Sequence, residues 1–343
     1  MNILKTIRSH EWWEYKLSPL LALGYATALG SGKSLLDATP RMLYILSALV
    51  IGAAYVSVIN DVTDIDEDLA SGKKNRMANI PPSRRWVFPV LALVAGAGYI
   101  ATLWPNEKLM LLATLPWLSF SCYSIPPIRL KKRGIWGVFA DASGSHLFPS
   151  IFMVAAMTYY TQQPLDKIWF AAVGIWALAY GLRGILWHQF MDRENDRIAG
   201  VKTFATQMSP DSFRTRGRII LAIEWTALVL ILWRLGKPLP VVALALYFLF
   251  AVACRKWLGI RFISIRMPAP GQAYHILMGD YYQIFFPLSI LVSSALVHPL
   301  DWIILPVYLF LFAGNAIKLL RYAVWILRSL RARLTARLAN PRK

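Results

Sequence analysis

Two short acidic segments hold the residues whose types and spacing could do chemistry. The first, NDVTDIDEDLASGKKNR, places Asn60, Asp61, Asp64 and Asp68 ahead of Gly72 and Lys74. The second, HQFMDRENDRIAGVK, places His188, Asp192 and Asp196 ahead of Gly200 and Lys202. Superposing Asp64 on Asp192 aligns Asp68 with Asp196, Gly72 with Gly200 and Lys74 with Lys202, so both read D-x3-D-x3-G-x-K. Residues four apart share a helix face, which puts Asn60, Asp64 and Asp68 on one stripe and Asp192 and Asp196 on another. A glycine suits the end of each helix, and the lysine beyond it can fold back over the carboxylates. Facing carboxylate clusters repel each other unless hard cations sit between them. Mg2+ takes oxygen ligands, typically one or two carboxylates with substrate phosphate oxygens and water. The pattern therefore points to a diphosphate bridged through Mg2+, with Lys74, Lys202, Arg76 and the run Arg129, Lys131, Lys132 neutralising its remaining charge. A diphosphate neutralised in this way is a good leaving group, and an allylic group attached to it would ionise to a carbocation. Either segment alone could be a solvated charged loop; two copies with the same glycine and lysine offsets argue for a site.

The elements that must position these residues are apolar. Of 343 residues, 57% are hydrophobic and 16% charged, against about 25% charged in a typical soluble domain, and mean hydropathy is +0.47. Candidate membrane spans of about 20 residues lie near 16–31, 41–59, 86–104, 109–124, 137–159, 168–188, 218–234, 238–255, 281–298 and 301–322, giving ten, or nine if a short one is discounted. Loops after even-numbered spans are long and rich in Lys and Arg; those after odd-numbered spans are short and poor in them. The positive-inside bias then places the long loops, both acidic segments and both termini on the cytoplasmic face. The net charge of +19 is read as complementing an anionic membrane face and phosphorylated substrates rather than nucleic acid. Residues 1–15, with Trp12 and Trp13, read as an interfacial segment, and 323–343 as a basic cytoplasmic tail. Cys122 and Cys254 have no metal-ligand spacing and read as packed free thiols.

At the acidic segments the sequence resembles the UbiA superfamily of intramembrane prenyltransferases. Asn60-Asp61-x2-Asp64-x3-Asp68 is similar to that family's first Asp-rich motif, Asp192-x3-Asp196 to its second, and YSIPPIRLKKRG, Tyr123 to Gly134, to its segment after the fourth span. The resemblance covers nearly the whole chain as a single domain, 1–343. It implies an all-α, polytopic helical bundle with a central cavity under a cytoplasmic polar cap, in a cytoplasmic or inner membrane. It implies Mg2+ held by Asn60, Asp64 and Asp68 on one side and Asp192 and Asp196 on the other, with Asp61 in the same motif. Diphosphate contacts are implied from Lys131, Lys202 and Arg76, with Tyr123 in the neighbouring segment. The implied activity is transfer of an isoprenyl group from its diphosphate to a lipophilic, aromatic acceptor, with no obligatory protein partner evident. Two features depart from the family pattern: Met77 follows Asn75-Arg76 where many members have proline, and a tenth span stands where nine is usual.

Other polar residues fall at membrane depth, where charge is costly and tends to be functional. Arg183, nine residues before Asp192, reads as a ligand for phosphate or acceptor, or as a counter-charge to the carboxylates. His188 reads as a base toward an acceptor or as a structural histidine. Asp141 and His146 read as a polar pocket wall, while Glu224 and Asn315 lie in spans with no evident partner. The same metal clusters would also serve phosphoribosyl transfer to a polyprenyl phosphate, or terpene cyclisation. A phospholipid transporter is the non-enzymatic alternative, disfavoured because clustered carboxylates repel an anionic cargo without bound metal.

Overall fold

The apolar runs fold as helices in a computed structural model, which describes residues 9–198, 200, 202–209, 211–265 and 271–339. The described residues are 81% helical with almost no sheet. The main helices are α1 (Ser18–Gly30), α2 (Leu35–Thr63), α3 (Val87–Ala101), α4 (Glu107–Ser124), α5 (Ile135–Ala142), α6 (Phe148–Tyr160), α7 (Lys167–Ile198), α8 (Arg214–Leu235), α9 (Pro238–Leu258), α10 (Phe286–Ala295), α11 (Ile304–Leu311) and α12 (Ala313–Ala339). Wider π-helical turns lead into α1 at Trp13–Leu17, join α5 to α6 at Ser143–Leu147, and lead into α10 at Tyr281–Phe285. The described sheet is one short parallel pair, β1 (Arg261–Ile263) with β2 (Tyr274–Ile276), in which Phe262 stands opposite His275.

At one end of the bundle the connections are short and carefully capped. Ser34 accepts from the Leu36 amide, and Asp301, from the far end of the sequence, accepts from the Leu35 and Leu36 amides at 2.9 and 3.0 Å. A carboxylate at a helix N-terminus satisfies unpaired amides and complements the helix dipole. Asp166 does the same for α7, accepting from the Ile168 and Trp169 amides while pairing with Arg234 from α8. At the other end the connections are long, and both acidic segments lie there.

Three described helices, α2, α7 and α9, are long and apolar enough to cross a membrane on their own. Large apolar side chains stand exposed on the outside of the bundle: Leu91, Val94, Leu111, Val229, Leu249 and Phe310 among them. Water would oppose such a surface and hydrocarbon would not. The run expected as a tenth span, 301–322, is not one helix. It breaks at Phe312, and α12 leaves the 299–311 segment at 83°. The turn is tied to the start of the chain: the Trp13 indole donates to the Leu311 carbonyl (2.8 Å) and the Gly314 amide donates to Glu14 (2.7 Å). Beyond the turn, from Lys318 onward, the sequence carries a basic residue every one or two turns. The expected tail, 323–343, is helical through Ala339 as the continuation of α12, and its last residues lie outside those described.

Candidate active site

Each acidic segment caps a long helix. α2 ends at Thr63; Asp64 sits at the break (φ −111°), and a short helix, Ile65–Ala70, carries Glu67 and Asp68 onward. Gly72 closes it at φ +71° and Gly200 stands at φ +67°, a left-handed conformation that glycine adopts without penalty. In the second segment α7 continues through Asp192 and Asp196 to Ile198 without a break. The two segments meet: Asp64, Glu67, Asp68, Asp192 and Asp196 line one polar cavity with Lys73, Tyr123, Lys131 and His188.

Basic side chains thread this acidic wall. Lys73 crosses from the first segment to Asp192 of the second at 3.1 Å. Arg129, held in a left-handed turn at φ +39°, donates to the Thr63 carbonyl (2.7 Å) and reaches Asp64 (3.3 Å) and Glu67 (2.9 Å). Lys131 pairs with Asp64, and Lys132 with Glu67 at 2.5 Å. Burial, with Lys132 beside it, pushes the Lys131 ammonium down to about 7. The turn that holds Lys131 rests on Gly137 at the start of α5, where a Cβ would come within 2.7 Å of the Leu130 carbonyl oxygen. Asn75 orders the first segment from below, donating to Asp68 and to the Asp61 carbonyl, each at 2.8 Å.

Not every expected residue reaches the cavity. Asp61 is 3% exposed and pairs with Arg76 at 3.3 Å, so both are turned toward each other rather than toward Asp64. The Asn60 carboxamide oxygen accepts from Ser124, beside the cavity rather than in it. Lys74 and Lys202 are exposed, and Lys73, not Lys74, bridges the segments. Arg183 is not a cavity residue. It is 1% exposed, and its guanidinium is taken up by Glu224, which is 0% exposed, at 2.5 and 2.8 Å, and by the Leu277 carbonyl at 2.9 Å. The Tyr282 hydroxyl donates to the same Glu224 carboxylate at 2.8 Å. Glu224 thus has the partner that its sequence position did not disclose. Three contributors escaped the sequence reading: Lys73, Glu67 and Asn75. The alignment of the two segments favoured Lys74 over its neighbour, and Glu67 lies outside the four-residue repeat although it is one turn from Asp64.

A second, largely apolar cavity lies alongside, lined by Trp12, Leu20, Tyr55, Tyr99, Trp117 and Phe120 among others. Phe120 and Tyr123, one turn apart on α4 with ring centroids 6.2 Å apart, separate it from the acidic one. Trp117 closes over Gly96, where a Cβ would meet its ring at 2.5 Å.

A family model for the UbiA prenyltransferase family matches residues 17–261. The chain belongs to the UbiA prenyltransferase family. Among solved structures it is similar to a UbiA homolog from Archaeoglobus fulgidus: with 17% identity, a TM-score of 0.57, and 86% of this chain and 98% of that one covered. The same homolog bound to GPP and Mg2+ matches with 17% identity and a TM-score of 0.54 over 87% and 100% of the two chains. Bound to DMAPP and Mg2+, it matches with 16% identity and a TM-score of 0.53 over 87% and 99%. A comparison with curated proteins gives no match.

Among the described residues no group of three or more His, Cys, Asp or Glu side chains stands close enough to enclose a metal ion. The carboxylates face the cavity from two sides instead. Mg2+ binds through one or two carboxylates and completes its shell with phosphate oxygens and water, so this oxygen-only donor set suits Mg2+ shared with a phosphorylated ligand.

Proposed function

We propose that this protein is an integral membrane enzyme that cleaves an isoprenyl diphosphate between its two acidic segments and transfers the isoprenyl group to a lipophilic acceptor. The observation that carries the reading is the joining of the two segments: carboxylates from α2 and α7 line a single polar cavity, bridged by Lys73, next to an aromatic-lined apolar one. A diphosphate needs the first and an isoprenoid tail needs the second. The relatives of known structure that bind DMAPP or GPP with Mg2+ support the same substrate class. The apolar exterior and the family support insertion in a bilayer; with nine or ten spans, the positive-inside bias puts the capped end away from the cytoplasm and the acidic end facing it.

Mg2+ held by Asp64 and Asp68 on one side and Asp192 and Asp196 on the other would supply positive charge to the departing diphosphate. The chain's own part is electrostatic and positional. Lys73, Arg129, Lys131 and Lys132 are already collected on the cavity wall, so phosphate oxygens meet cations that need little reorganisation. Phe120 and Tyr123 stand where the polar and apolar cavities meet, against the carbon that leaves the diphosphate. Their ring faces can shield a developing allylic cation and keep water from capturing it.

Incubating the purified protein in lipid nanodiscs with geranyl diphosphate and a panel of lipophilic acceptors tests the reading. Diphosphate should be released with Mg2+ and not with EDTA. Asp64→Asn and Asp192→Asn should each abolish release, because the two segments act on one substrate. Release that survives either substitution would sink the proposal.

A further inference from the structure

The helix that follows the break at Phe312 lines neither cavity. Its contacts fall instead on the ends of three other helices. α12 begins beside the start of α1, where the Gly314 amide bonds Glu14 and the Phe312 ring lies 6.3 Å from that of Trp13. One turn on, Lys318 pairs with Asp280 (2.7 Å), at the start of the π turn that leads into α10. The Tyr322 hydroxyl meets His275 Nε2 at 2.9 Å, and its ring lies 6.2 Å from Phe250 of α9. Further along, the Ser329 hydroxyl donates to the carbonyl of Trp257 (3.2 Å), at the end of α9. From Gly314 to Ser329, at 1.5 Å per residue, α12 covers about 22 Å. The 259–280 connection, between α9 and α10, belongs to the end of the bundle that carries the long connections. With the 83° bend behind it, α12 therefore lies across that end, in the plane where an inserted bundle meets the lipid headgroups.

Away from these contacts α12 shows two adjoining stripes. Ile317, Leu320, Val324 and Leu327 recur at helical spacing, so they share one face, and they are 53, 66, 43 and 64% exposed. Arg321, Arg328 and Arg331 run along the edge of that face and are exposed as well. After Asp301 the sequence holds eight lysines and arginines and no Asp or Glu. The carboxylates that α12 meets are engaged, Glu14 by the Gly314 amide and Asp280 by His275 and Lys318. Arg255 and Lys256, exposed at the adjoining end of α9, extend the positive rim, and Lys256 stands over the Trp257 ring at 5.5 Å. Along the same helix Leu246, Leu249 and Val252 are exposed, so the apolar stripe of α12 adjoins the apolar exterior of the bundle.

We propose that α12 is an interfacial helix that gathers anionic lipids, with acyl chains covering the Ile317–Leu327 stripe and Arg321, Arg328 and Arg331 holding the phosphates of negatively charged headgroups. The proposal rests on insertion of the bundle in a bilayer, and gives that bilayer a composition and a point of attachment. A helix with an apolar face and a basic edge lies in the headgroup plane, bound through both buried apolar area and attraction to anionic lipid. Arginine suits the edge, because its stem packs on hydrocarbon while its guanidinium reaches a phosphate with two parallel bonds. Nucleic acid would leave the leucines facing water, and a second copy of α12 would bring one arginine row against another.

The test attaches a bimane fluorophore through Val324→Cys, with the half-buried Cys122 replaced by serine and the buried Cys254 left in place, and reconstitutes the protein in nanodiscs. Brominated acyl chains quench bimane on contact. Brominated phosphatidylglycerol should reach half-quenching at a membrane fraction about fivefold lower than brominated phosphatidylcholine, the scale of one arginine at an anionic surface. Arg321→Gln, Arg328→Gln and Arg331→Gln combined should erase that difference, and so should about 1 M salt acting on the unaltered row. Cys254 remaining unlabelled shows that the triple variant folds; should it fail to fold, the salt series decides. Soluble glycerol phosphate should not restore the fluorescence, since it offers nothing to the apolar stripe. Restoration by it would make the row a soluble-anion site and overturn the proposal. Equal quenching by the two lipids in the unaltered row would overturn it, as would a preference that survives both salt and the triple variant. Protein that enters nanodiscs with its bimane unquenched would overturn it while leaving insertion intact. Protein that does not enter nanodiscs at all would bring down the bilayer reading, and the lipid-gathering helix with it.

Discussion

Replacing Glu224 by glutamine removes one charge from an ion pair that water cannot reach. Glu224 is 0% exposed and Arg183 1%, with two guanidinium–carboxylate bonds at 2.5 and 2.8 Å and a third bond from Tyr282. Removing one partner of such a pair costs about 3–5 kcal/mol, because the other charge stays buried without compensation. For a chain of 343 residues the unfolding entropy is about 0.7 kcal/mol/K, so Tm should fall by about 4–7 °C. The buried Cys254 thiol gives the assay: a thiol-reactive fluorescent dye in detergent reports its exposure on heating. Arg183→Met should cost a similar amount. Arg183→Met combined with Glu224→Leu should recover most of it, since an apolar pair of similar volume has no charge to strand. The double variant should also bind geranyl diphosphate with Mg2+ within about twofold of the unaltered Kd, about 0.4 kcal/mol, because Arg183 is engaged away from the acidic cavity. The reasoning fails if Glu224→Gln melts within about a degree of the original, or if the double variant is no more stable than either single one.

Three further outcomes follow from the geometry. Asp68→Asn and Asp196→Asn should each slow Mg2+-dependent diphosphate release by about 10²–10³-fold, whereas Asp61→Asn, whose carboxylate faces Arg76, should slow it less than tenfold; single-turnover assays distinguish them. Gly137→Val should displace the Leu130–Lys131 turn and raise the Kd for the diphosphate about tenfold, the scale of one charge-assisted bond, with secondary structure unchanged by circular dichroism. Burial alone would raise the Asp280 carboxyl, but bonds from His275 (2.7 Å) and Lys318 (2.7 Å) outweigh it and hold it below the ordinary range. Its contribution to docking α12 is therefore complete above the unfolded carboxyl value of about 4 and is lost as pH falls through the lower folded value. Trp325 fluorescence should report α12 loosening only in acid, and Lys318→Met should move the onset to higher pH.

The acidic segments could be read in the sequence because their spacing repeats, and helix geometry turns a spacing of four into a shared face. The same logic located Gly72 and Gly200 at the chain reversals. It failed where the partner lies far along the chain. Nothing near Arg183 indicates that Glu224, 41 residues on, would claim its guanidinium, and an arginine nine residues from Asp192 was a fair candidate for phosphate. Lys73 and Lys74 differ only in which side of the Gly72 turn each faces, and only the fold decides that. The ends of the helices followed from apolar length, but the break at Phe312 did not: the run stays apolar through it, and the turn is fixed by Trp13 and Glu14 from the opposite end of the sequence. Asp301 illustrates the same limit, since it caps a helix that begins 266 residues earlier.

The family match stops at residue 261, yet the buried pair does not. Arg183 and Glu224 lie inside the matched region, while the Ser264 and Leu277 carbonyls and the Tyr282 hydroxyl that complete their bonds lie beyond it. Shared ancestry and physical wholeness thus divide this chain at different places. A fragment cut at the edge of the match would strand those contacts, and a chimera that exchanged everything after residue 261 would inherit them only from a donor that supplies all three oxygens in register.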